Sequence, residues 1–175
     1  LATSLKAVND AQITELDAVV TGTGLGCIAN TEHFLSAMTN NGEQFLQQTF
    51  FMQSTHNTIS SQVALQLQCH GYNNTYSHLG ISFESALYDV LLQFYADKLT
   101  NALVGGHDEM TPDYFDMLDK AHLWKKGEIS TDILHHADSI GSYAGETAVC
   151  LVLANSGTVH PMCVIEGMDL LYNPT

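Results

Sequence analysis

Arginine is absent from this chain, and lysine occurs only at positions 6, 98, 120, 125 and 126. Against these stand 19 aspartates and glutamates, for a formal net charge of −14 at pH 7. Phosphate backbones are gripped by clustered Lys and Arg, so this imbalance excludes nucleic acid as a partner. It equally excludes docking on an anionic membrane surface. Long apolar runs are also missing: none approaches the ~20 residues that a membrane-spanning helix needs. No CxxC or zinc-type spacing joins Cys27, Cys69, Cys150 and Cys163, so neither a metal nor a cofactor is expected. The start, LATSLKAVNDAQ, lacks an initiator Met and a signal-type apolar core, and the natural N-terminus is expected to lie upstream. Internal repeats, low-complexity tracts and interior linkers are lacking too.

What remains is a 175-residue chain that is 45% hydrophobic and 14% charged, with a mean hydropathy of +0.02. That suits one domain, residues 1–175, with a real core, and it is too apolar for a disordered polyelectrolyte. Three of the cysteines lie in apolar surroundings, as reduced core cysteines do, which points to a cytoplasmic protein.

Periodicity predicts a helix from Leu1 to Leu16, then an apolar strand and glycine turn in DAVVTGTGLG. Thr31 reads as the N-cap of the helix TEHFLSAM. The Gln-rich stretch from Asn40 to Thr55 carries Phe45, Phe50 and Phe51 as expected buried anchors. A buried helix follows in TISSQVALQLQ, stopped by His70-Gly71. YNNTYSHLG is rich in β-formers, and a helix with a wide apolar face runs from Ser82 to about Lys98. NALVGG reads as a second buried strand, and Thr111-Pro112-Asp113 as a helix start with N-cap, proline and first-turn acid. ETAVCLVLA and HPMCVIEGMDLLY read as a hairpin joined at Asn155-Ser156-Gly157-Thr158. The order implies an α/β fold with a mixed sheet.

Other features are weaker. His107-Asp108-Glu109 follows a strand end, where α/β proteins place ligand residues, and His135-His136 lies in a polar stretch. Neither has HxxxH or HxH spacing. GTGLG is not GxGxxG and lacks a P-loop Lys.

Taken together, five pieces resemble the N-terminal domain of the β-ketoacyl-acyl-carrier-protein synthases, the condensing enzymes of thiolase-like fold. They are DAVVTGTGLG, Asn57-Thr58-Ile59-Ser60-Ser61, His70-Gly71, NALVGGHDE and GSYAGETAVCLVLA. The resemblance implies a thiolase-like N-terminal half: a mixed five-stranded sheet packed by helices. It also implies that the family's C-terminal half, with its two histidines and its lysine, lies outside this chain, as does a first strand before Leu1. In that family the acidic turn after Gly-Gly is a structural corner.

The family's nucleophile is a cysteine on a sharp turn between a buried strand and a helix N-terminus. There the helix dipole and backbone N–H groups lower the thiol pKa and form an oxyanion hole. Counting forward from Gly71 and back from Gly105 lands on Gly80, which cannot accept an acyl group. Ser77 and Ser82 are the nearest hydroxyls, with His78 beside them. Ser82 reads first as a helix cap and His78 as a core or interface histidine. Cys69 has no basic neighbour except His70.

The first reading resembles the non-catalytic, chain-length-factor-type partners in fatty-acid, polyketide or aryl-polyene biosynthesis. It implies a subunit that shapes the acyl tunnel of an active ketosynthase, with Phe83 and Leu87 as tunnel wall. Asn73, Asn74, Thr75, Tyr76, Ser77 and His78 would be the strand that pairs across a two-fold axis, in a homodimer or in a heterodimer with an active ketosynthase. Acyl carrier proteins are acidic, so carrier docking would fall to the partner. The alternative is a stand-alone enzyme that transfers acyl groups through Ser82 or Cys69, or a binder of acyl-CoA or acyl carrier protein.

Overall fold

The computed structural model describes residues 1–44, 46–126, 141–155 and 161–171. Its elements are α1 (Ala2–Ala11), β1 (Ala18–Gly22), α2 (Ile28–Asn40), α3 (Gln48–Ser54), α4 (Thr58–Gln66), β2 (Tyr72–Tyr76), a 3-10 turn (Leu79–Ile81), α5 (Ser82–Tyr95), β3 (Asn101–Asp108), α6 (Pro112–Lys120) and β4 (Thr147–Ala154).

Four strands form one sheet in the order β2-β1-β3-β4. β1 is parallel to both β2 and β3, whereas β4 runs antiparallel to β3. Parallel neighbours need helical crossovers, and α4 and α5 supply them on opposite faces. β1 is buried along its whole length, which is why AVV reads as a continuous apolar run rather than an alternation. On one face Ala18, Val20, Ala102 and Val104 pack against Ala86, Val90 and Phe94 of α5. On the other, Val19 and Leu103 pack against Val63 and Ala64 of α4, with Leu16 and Cys69.

Two glycines set how closely the layers approach. A Cβ on Gly22 would lie 2.3 Å from the Ser82 carbonyl carbon, so the end of β1 touches the first turn of α5 backbone to backbone. A Cβ on Gly71 would lie 2.0 Å from the Asp17 carbonyl oxygen, where β2 enters beside β1.

The helix boundaries differ from the sequence reading for local reasons. α1 stops at Ala11 because Gln12 turns left-handed (φ 54) and its N–H returns to Asn9; Leu16 reaches the core only after that turn. α2 starts at Ile28, not Thr31, whose hydroxyl instead donates to the Cys27 carbonyl. The N–H of Ala29 is satisfied by Glu109 from β3's far end, a non-local cap that no local pattern announces. α4 ends at Gln66, with Gln68 left-handed ahead of His70-Gly71. α5 ends at Tyr95, again before a left-handed residue, Asp97. Thr111 does cap α6, accepting from the Tyr114 N–H at 3.2 Å.

The Phe anchors are corrected. Phe50 is half-buried and stacks on His33, whereas Phe51 is exposed against Phe34; Phe45 lies outside the described residues. The strand count is corrected as well: four strands, not five, occur among the described residues. The run 161–171 forms no strand and is largely exposed. Pro161 has no N–H for a ladder. Of the expected hairpin turn Asn155-Ser156-Gly157-Thr158 only Asn155 is described; the rest, like His135-His136, lies outside the described residues.

Candidate functional site

The site expected from the sequence is the turn from β2 into α5, at the C-terminal end of the parallel strands. That is the end at which open α/β sheets collect ligands. Its sharpest residue is Leu79, whose φ of 53 is left-handed. The other left-handed non-glycine residues among those described are Gln12, Glu43, Gln68, Asp97 and His122. Each of these follows a helix end, the ordinary place for that conformation. Leu79 alone precedes a helix, and it is apolar and 71% exposed, so burial of its side chain does not offset the backbone cost.

Hydrogen bonds hold the turn instead. Ser82 Oγ accepts from the His78 N–H at 2.9 Å and donates to the Leu79 carbonyl at 2.7 Å. Ser85 Oγ donates to the Ile81 carbonyl at 2.8 Å and lies 2.9 Å from His78 Nδ1. With the Ser85 proton committed to Ile81, His78 Nδ1 is the donor of that pair. Below the turn, Phe83 lies against Gly106, where a Cβ would come within 3.0 Å of its ring.

The neighbouring turn after β1 is braced by Asp108. Its carboxylate accepts from the Thr23 hydroxyl at 2.8 Å, the Gly24 N–H at 2.9 Å and the Leu25 N–H at 3.2 Å. Thr23 Oγ1 in turn accepts from the Gly26 N–H. Asp108 and Glu109 are thus spent on holding the GTGLG turn and α2, not on a ligand. Burial, then the charge of Glu109, pushes the Cys27 thiol up. Burial pushes His107 below its ordinary value. No group of three His, Cys, Asp or Glu side chains that could hold a metal occurs among the described residues.

The candidates fall out as follows. Gly80 lies in the 3-10 turn one residue after the left-handed position, and a Cβ there would meet nothing within 4 Å. Ser82 is the first residue of α5 and bonds backward into the turn; Ile81 occupies the cap position. Ser82 is buried, and its proton goes to a carbonyl rather than to His78. The His78 ring pairs with Ser85, a partner the sequence reading missed although the i, i+7 spacing across a turn allows it. Cys69 is buried in the α4-side core and donates to the Leu16 carbonyl at 3.2 Å. His78 approaches α5 on the opposite face, so the sheet separates the two. Phe83 and Leu87 are half-buried against the α5-side core. Asn73, Asn74, Thr75 and Tyr76 lie in β2, one of the two edge strands of the sheet, while Ser77 and His78 lie just beyond its end. All four cysteines are free, and no described helix is long and apolar enough to cross a membrane.

Residues 1–157 match the family described as "Beta-ketoacyl synthase, N-terminal domain". No curated protein matches the chain. Among solved structures, a ketosynthase (ApeO) in complex with its chain length factor (ApeC) from Xenorhabdus doucetiae matches with a TM-score of 0.60 at 17% identity, over 90% of this chain and 58% of that one. A β-ketoacyl synthase from Burkholderia phymatum STM815 matches with a TM-score of 0.69 at 20% identity, over 87% of this chain and 40% of that one. The ishigamide ketosynthase/chain length factor matches with a TM-score of 0.58 at 22% identity, over 79% and 35%. This chain therefore spans less than two thirds of each of these structures, and at such identities they speak for the fold alone. With residues 1–157 of its 175 matched by that family, the chain belongs to the β-ketoacyl synthase N-terminal domain family.

Proposed function

We propose that this chain is a non-catalytic ketosynthase-like subunit of fatty-acid or polyketide biosynthesis that pairs with an active ketosynthase and shapes its acyl tunnel. One observation carries the reading: the strand-to-helix elbow presents Leu79 and Gly80, and neither has a nucleophilic atom. Ser82, the hydroxyl just after the elbow, has its proton on the Leu79 carbonyl, whereas a serine nucleophile needs a positioned base. Cys69 is sealed in the core. These placements weigh against the stand-alone acyl-transfer alternative through Ser82 or Cys69.

In this reading Phe83 and Leu87 line the tunnel, and the open edge of β2 pairs with the partner across a two-fold or pseudo-two-fold axis. No strand among the described residues pairs with the outer edge of β2, and such an edge favours a cover, since exposed strands otherwise aggregate. Acyl carrier protein docks on the partner, because this chain has little positive charge to offer an acidic carrier. A cytoplasmic location goes with the free thiols. The test is intact-mass analysis after incubation with an acyl thioester. No acylation of Ser82 or Cys69 is expected, and an acyl adduct mapped to either would overturn the reading.

A further inference from the structure

We draw no further inference here: the strongest candidate, the open depression of about 600 Å³ lined by Asp17, His70 and Lys98 at the N-terminal end of the parallel strands, has its Asp17 carboxylate spent on Thr100 and Asn101 and its His70 and Lys98 exposed, and nothing in the structure shows what it would hold.

Discussion

Two turns stand side by side at the C-terminal end of the sheet, and they solve the same problem differently. The turn after β1 uses Gly24 and Gly26, with Gly26 in the left-handed region (φ 67), and an acid from β3 clamps it. The turn after β2 puts its left-handed conformation on Leu79, although Gly80 is the very next residue. A carboxylate braces the glycine turn, whereas serine hydrogen bonds hold an exposed apolar residue in the left-handed region.

That contrast can be broken in order of severity. Gly22→Ala forces a methyl into the α5 backbone at 2.3 Å, joining both turns to the helix they share; a loss of about 3 kcal/mol is expected, at the upper end for overpacking, read as a lower midpoint in urea. Asp108→Ala strips the first turn of its clamp and leaves the Gly24 and Leu25 N–H groups without their acceptor. A loss of roughly 2–3 kcal/mol is expected, since bonds to a charged group are the strong ones. Ser82→Ala removes the acceptor of the His78 N–H and the donor to Leu79, for about 1–2 kcal/mol. Leu79→Gly should act in the opposite direction and raise the melting temperature. Relief of the left-handed penalty, about 1–2 kcal/mol, exceeds the added unfolded-state entropy of glycine. A Leu79→Gly protein less stable than wild type would mean that the elbow is not strained.

The smallest effect is in pH. Burial holds His107 below its ordinary value of 6.5, so the unfolded chain takes up this proton first as pH falls. The contribution is fully present above pH 6.5 and is lost as pH drops through the folded value. His107→Gln should therefore flatten the stability profile on the acidic side of 6.5 relative to wild type, measured as urea midpoints across that range.

Much of this was legible in the sequence because it is local. AVV and ALV are unbroken apolar runs and became the two central strands; Thr111-Pro112-Asp113 became a capped helix as its chemistry requires. What was not legible depends on distant partners. Glu109 capping α2 and Asp108 bracing the β1 turn join segments some eighty residues apart. The turn between β2 and α5 can be read from Leu79-Gly80-Ile81, but the residue that bears the positive φ is set by the hydrogen bonds of Ser82, which the run itself does not announce. Of the run HPMCVIEGMDLLY, the described residues 161–171 form no strand: Pro161 offers no ladder N–H, and apolar content alone does not pair a largely exposed segment.

The central claim is that this chain contributes no acyl-accepting group. The most direct measurement is acyl transfer by the complex of this chain with a ketosynthase whose own cysteine has been replaced by alanine. Enzyme-bound acyl label should fall to background, with nothing on Ser82 or Cys69. Stoichiometric label remaining on either residue of this chain would contradict the account.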